Sequence, residues 1–163
     1  MTSNSNPGST PLGSRHAGPK ESPGFLLWQL AMRWQQALRP ALAALDLTHA
    51  QFVLLASAAY LGSAAAAEDG AEPVTQRALA EHARLDAVTT SEVLRTLESK
   101  GLVERRPHPA DARARAVAVT RAGRALARKA IPAVEAADDA YFRDHADQVA
   151  ALAALVSSAR PGK

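Results

Sequence analysis

From Leu27 onward, apolar residues return every three or four positions: Leu30, Ala31, Trp34, Leu38, Leu42 and Leu45 fall on one helical face. The spacing predicts an amphipathic helix from about Pro23 to Leu45. Pro40 should bend or break it late, because proline removes a backbone donor and crowds the preceding turn. Thr48 and Gln51 spell T-x-x-Q, a pattern in which side chains and backbone cap one another, so a second helix starts near His49. It runs through Phe52, Leu55 and Ala59 to about Leu61, and a loop of Gly, Ser, Ala and acids follows to Pro73. Thr75 is a good N-cap for a helix through Leu79 to about Ala83. After the short link RLDAV, Thr89 and Glu92 read as a second capping box, T-x-x-E, and Gly101 ends that helix. Two short helices joined by a few residues make a helix-turn-helix.

At about 100° per residue, Thr90, Val93, Leu94 and Leu97 cluster on the packed side of this second short helix. Val88, Ser91, Glu92, Arg95 and Ser99 face out. The runs LVERR and RARAVAV flank PHPAD, whose Pro and Asp are turn formers, so a β-hairpin follows directly. Thr120 then caps a long helix toward Phe142, kinked near Pro132, and Asp144 or Asp147 caps a last helix through Val149, Leu152 and Leu155. The fold class is mainly α with a small β-wing: a winged helix-turn-helix lobe flanked by long helices.

Composition narrows the functions. With 163 residues, 47% of them apolar, the chain can bury one good core, and one domain is favoured over two. The first 22 residues hold hardly an apolar side chain and are expected to be a disordered tail. Leu47 to Ala67 carries no formal charge, which matches the length of a membrane span. Thr48, His49, Gln51, Ser57, Gly62 and Ser63 interrupt it, so it reads as a core helix. Cysteine is absent, which excludes disulfides and thiolate zinc sites and fits a reducing, cytoplasmic setting.

Net charge is only +3, but residues 95–129 hold ten Lys/Arg against three acids, a local excess of +7. A charge run is usually a solvated face; inside a structured segment it is also the footprint of a polyanion partner. The five histidines form no recognisable ligand motif, and no Ser-His-Asp order, P-loop or G-x-G-x-x-G occurs. Neither an enzyme, a metal site nor a cofactor is expected.

Three stretches in order carry a family resemblance. LTHAQFVLL at 47–55 is similar to L-T-x-x-Q-F-x-x-L, TLESKGLVERR at 96–106 to L-E-x-x-G-L-V-x-R, and DARARAVAVTRAG at 111–123 to D-x-R-x-x-x-V-x-L-T-x-x-G. From about Phe25 to Val156 the chain thus resembles the MarR family of winged helix-turn-helix regulators. The resemblance implies a homodimer whose first and last helices interlock, binding a pseudo-palindromic double-stranded DNA operator as a ligand-responsive repressor. It implies a division into a tail at 1–22, N-terminal dimerisation and core helices at 23–62, a DNA-binding lobe at 63–119 and C-terminal dimerisation helices at 120–158. It also implies a cleft for an unidentified small-molecule effector, for which Trp28 and Phe52 are the candidates; an aromatic at helical spacing is more often dimer core, above all Trp34.

The resemblance makes Arg113 the arginine that enters the minor groove, where enhanced negative potential attracts it. Asp111 would hold the tip or that arginine by local hydrogen bonds. Arg105, Arg106 and Arg115 would serve phosphates, while Thr75, Thr89, Ser91, Glu92 and Arg95 would belong to the helical part of the interface. Two positions depart from the family pattern. Many relatives read D-R-R where this chain has Asp111, Ala112, Arg113, so one cation is missing. Many carry a basic residue at the position of Glu92, which can accept from cytosine N4 but is costly beside phosphates; the capping role is favoured for it. Arg95, one turn on, suits a guanine or phosphate contact or plain solvation. The rival class is a winged-helix protein-interaction or ligand-binding adaptor that no longer binds DNA, with Glu92 as its best support and the local +7 against it.

Overall fold

The computed structural model describes residues 13–66, 72–111 and 113–158. Residues 1–12 of the expected tail, part of the loop before Pro73, and Ala112 lie outside them. The chain divides into two compact units, Met1–Ala37 and Leu38–Lys163. In the first, a single 3-10 turn at Pro19–Glu21 precedes α1 (Pro23–Ala43), where the rings of Phe25 and Trp28 stack at 5.8 Å.

α1 runs unbroken through Pro40. Only one helical donor is lost there, near the end of the helix, and the neighbouring Leu38 and Leu42 are both buried. The chain leaves α1 with Asp46 in the left-handed region (φ 53°), where Leu47 N–H donates to the Leu42 carbonyl and Asp46 N–H to that of Ala43.

α2 (His49–Ala66) opens with the expected reciprocal cap: Thr48 N–H donates to Gln51 Oε1 and Gln51 N–H to Thr48 Oγ1, both at 3.2 Å. It continues five residues beyond the expected end at Leu61, because the alanines after Ser63 are strong helix formers that Gly62 does not interrupt. α3 (Gln76–Ala83) is capped by Thr75, whose hydroxyl accepts from Ala78 N–H at 3.1 Å.

α4 (Ala87–Ser99) corrects the sequence expectation. Its N-cap is Asp86, not Thr89. Asp86 Oδ1 accepts the Thr89 N–H at 2.8 Å and Oδ2 accepts the Thr89 hydroxyl at 2.6 Å, so Thr89 and Glu92 form no capping box. Aspartate caps at least as well as threonine, and the earlier cap lets Val88 join the helix. The helix ends as expected at Gly101 (φ 69°): Gly101 N–H donates to the Glu98 carbonyl and Leu102 N–H to that of Leu97.

β1 (Val103–Pro107) and β2 (Arg115–Val119) pair antiparallel, with Val103 opposite Val119 and Arg105 opposite Val117. On its other side β2 is bridged by the segment entering α3, through Val117 N–H to the Val74 carbonyl at 2.8 Å. Thr120 caps α5 (Arg121–Phe142) by accepting from Gly123 N–H. α5 enters so close to the start of the wing that a Cβ on Gly123 would lie 2.0 Å from the Leu102 carbonyl oxygen. α6 (Ala146–Ser158) starts after His145, so neither Asp144 nor Asp147 is its cap; Asp147 sits inside the first turn, where its charge suits the helix dipole.

The core of the second unit joins Leu38 and Leu42 to Leu54, Leu55 and Ala58 of α2, Leu79 of α3, Leu94 and Leu97 of α4, Val103 and Val117 of the wing, and Ala127, Ala130 and Val134 of α5. Lys100 ties the end of α4 to the α1–α2 turn, reaching Asp46 Oδ2 at 2.9 Å and Gln51 Oε1 at 3.3 Å. No helix among the described residues is long and apolar enough to cross a membrane.

Candidate nucleic-acid interface

Burying Thr90, Leu94 and Leu97 turns the opposite face of α4 outward. Val88, Glu92, Arg95 and Ser99 are exposed there and Ser91 is half-buried, as the period predicts. Val88 is 69% exposed, a large apolar side chain at the helix start with no core to enter. Among the described residues, the side chains of Glu92 and Arg95 form no hydrogen bond or ion pair. The carboxyl of Asp86, which caps this helix, is held below the usual carboxylate range by the hydroxyl and N–H of Thr89.

The wing arginines divide into two groups. Arg105 donates from Nε (2.9 Å) and Nη2 (2.6 Å) to Glu98 Oε2 of α4, while its backbone N–H reaches Glu98 Oε1 at 3.1 Å. Arg106 pairs with Glu104 on the opposite face of the strands. Arg113 and Arg115 are exposed and form no ion pair among the described residues. Of the five arginines nominated from sequence, Arg95, Arg113 and Arg115 therefore form no ion pair among the described residues, although Arg115 lies near Glu98 and its charge helps to hold that carboxyl below the usual range.

Asp111 organises the tip through backbone rather than through a guanidinium. Its Oδ1 accepts the Arg113 N–H at 2.9 Å and its carbonyl accepts the Ala114 N–H at 3.0 Å. At the base of the tip His108 is almost enclosed, with Nε2 3.3 Å from Glu72 Oε2 and Nδ1 accepting the Ala110 N–H at 3.2 Å. Asp111, Arg113 and Arg115 share a concavity of about 700 Å³ with Thr75, Gln76 and Ala87, so the wing and the helix-turn-helix open onto one face.

Of the two aromatics nominated for an effector cleft, Trp28 is 57% exposed, and neither Trp28 nor Phe52 lines that concavity. A different cavity of about 670 Å³ lies between α2 and the wing, lined by Ala58, Gly62, Val74, Ala116 and Ala118 with Arg106 and Arg124 among its polar residues. Sequence reading missed three connections: the Asp86 cap, the Glu98–Arg105 pair and the His108–Glu72 contact. Only the first left a local signal, an aspartate directly before an apolar-periodic run.

An exposed reading helix held beside an arginine-bearing hairpin defines a winged helix-turn-helix protein of the DNA-binding class. The MarR family pattern matches residues 47–114. The chain is 43% identical over 129 residues to the uncharacterized HTH-type transcriptional regulator YdcH of Bacillus subtilis (strain 168), covering 79% of this chain and 84% of that protein. It belongs to the MarR family of transcriptional regulators. Among solved structures it is similar to a mutant MarR from E. coli complexed with operator DNA (TM-score 0.70, 29% identity, 85% of this chain and 96% of that one). It is also similar to CouR from Rhodococcus jostii RHA1 bound to p-coumaroyl-CoA (TM-score 0.69, 26% identity, 91% and 100%).

Proposed function

We propose that this regulator works as a homodimer on a pseudo-palindromic operator, repressing in the cytoplasm until a small molecule releases it. The observation that carries the DNA reading is the set of exposed arginines that form no ion pair among the described residues, Arg95 on α4 and Arg113 and Arg115 on the wing. Arg95 reaches the major groove and Arg113 the minor groove, while Arg115 meets phosphate. Thr75 and Thr89 have hydroxyls engaged in capping or in the cap, so in this reading they contribute shape and backbone N–H groups near phosphate.

Dimerisation is supported by exposed apolar residues on the flanking helices: Leu155 and Val156 of α6 are 65% and 76% exposed, and Leu27 of α1 is 59% exposed. The proposed division keeps helices at 23–62 and 120–158 for the dimer and 63–119 for the lobe. Effector control is supported by the ligand-bound CouR relative.

The test is selection of duplexes from a genomic-fragment pool, followed by binding at several salt concentrations. The reading expects a preferred duplex with inverted half-sites and affinity falling steeply with salt. Weak, salt-insensitive binding of every fragment would favour the adaptor reading, in which the free carboxylate of Glu92 faces a protein. Sedimentation at micromolar concentration should give a dimer; a folded monomer would refute the assembly.

A further inference from the structure

We propose that Glu98 and Arg105 are positioning residues that lock the wing to the recognition helix, and that Arg105 does not serve the phosphate backbone. The proposal rests on the DNA-binding reading above and replaces one of its parts, the phosphate role implied for Arg105 by resemblance.

The wing leaves α4 through the tight turn at Gly101 and Leu102, and its base is fixed by burial of Val103 and Val117. Strand alternation puts Arg105, two residues farther out than Val103, on this same inner face. Beyond that point no described apolar side chain toward the tip is buried, and the enclosed His108 turns to Glu72, so apolar packing no longer sets the angle between hairpin and helix. Glu98, on the last turn of α4, meets Arg105 there. Its two oxygens take three bonds from one residue, two from the guanidinium and one from the backbone N–H.

The Arg105 side chain is largely withdrawn from water, at 20% exposure, while Glu98 remains 36% exposed. A fork with its backbone amide also held fixes direction as well as distance. Among the described residues, these are the only side-chain hydrogen bonds from α4 to either strand. The arginine hydrogen bonds keep the Glu98 carboxyl below the usual carboxylate range, so it stays ionised at neutral pH.

Charge makes the same point. An acid on a face meant for phosphates is unfavourable unless it has another task. Glu98 takes two of the five N–H donors of Arg105 and neutralises its charge, and the side chain is only 20% exposed, so the guanidinium is poorly placed to serve a phosphate. The pair therefore acts through the residues it aligns, the exposed side chains of α4 on one side and Arg113 at the tip on the other.

The opposing roles predict opposite signs for one substitution. If Arg105 bound phosphate, Glu98→Ala would free it, remove a repulsive acid and tighten binding to any duplex. If the pair positions the wing, Glu98→Ala should lower affinity for the preferred duplex roughly tenfold and leave a scrambled duplex of equal length unchanged. Arg105→Ala should do the same without altering the dependence of log K on log salt, and Arg105→Lys should not rescue, because an ammonium cannot reproduce the fork.

The full-length protein is used throughout, with thermal unfolding of each variant. Glu98→Gln keeps an acceptor for the Arg105 amide and guards against a folding defect; it should show an intermediate loss of discrimination at an unchanged melting temperature. Unchanged discrimination in Glu98→Ala, tighter binding, or a smaller salt slope in Arg105→Ala would overturn the proposal while leaving the DNA reading intact. A wild-type protein that prefers no duplex overturns both.

Discussion

Replacing Arg113 by alanine removes from each subunit a cation that has no acidic partner among the described residues. Its side chain is exposed, its backbone N–H is held by Asp111, and its guanidinium forms no ion pair among the described residues. In the proposed dimer, Arg95, Arg113 and Arg115 supply six cations, for which log K should fall with log salt at a slope of about −5.4. If the paired Arg105 and Arg106 also reached phosphate, the slope would approach about −9. Arg113→Ala removes two cations and should flatten the slope to about −3.6. A loss of about 1.4 kcal/mol per copy, near the low end for a well-placed arginine contact, makes affinity for the preferred duplex about a hundredfold weaker.

The assay is fluorescence anisotropy with that duplex at four or more salt concentrations. Arg121→Ala is the control, because Arg121 is exposed at the first position of α5, beyond the wing. It should change affinity less than about threefold, and both variants should unfold like wild type because neither residue is buried. Equal and negligible effects of the two substitutions would show that the wing does not touch DNA, and the adaptor reading would then take its place.

Gly123→Ala should destabilise the lobe, since the new Cβ would meet the Leu102 carbonyl oxygen at 2.0 Å and Val119 Cγ1 at 2.8 Å. Overpacking and disturbance of the Thr120 cap together should cost about 3 kcal/mol and lower the melting temperature by about 10 °C; a drop under 2 °C would contradict the close approach. Asp86→Ala should lower the melting temperature while Glu92→Gln leaves it unchanged, because Asp86 and not Glu92 caps α4. The reverse order would restore the capping box. His49 has its pKa lowered by burial, with Asp138 opposing, so the unfolded chain takes up the proton first as pH falls. Its contribution should be intact above about pH 6.5 and lost as pH drops from there through the lower folded value. Urea midpoints from pH 5 to 7.5 should show a slope that His49→Gln reduces, and an equal slope in the variant would remove this histidine from the account.

The sequence by itself determined the element order, because most boundaries carry a local signal. The Thr48/Gln51 cap, the Thr75 and Thr120 caps, the Gly101 stop and the period of Thr90, Leu94 and Leu97 depend on neighbours within four residues, and the helices start or stop where these residues lie. It was less decisive where local signals compete: Asp86 and Thr89 both suit an N-cap, and the residue that begins the helix earlier won because it satisfies Thr89 as well. The stretch of Gly, Ser, Ala and acids after Leu61 reads as a loop by composition, yet its alanines extend α2 to Ala66 through propensity.

The electrostatic identity of each arginine was decided only by the tertiary structure. In sequence Arg105, Arg106, Arg113 and Arg115 are equivalent cations on a hairpin. Strand alternation sends Arg105 inward to Glu98, seven residues away and on another element, and Arg106 outward to Glu104, while the turn at Asp111 leaves the Arg113 guanidinium without an ion pair among the described residues. Pairing of charges falls off over a few ångströms, and sequence spacing does not encode such distances once the chain turns back on itself.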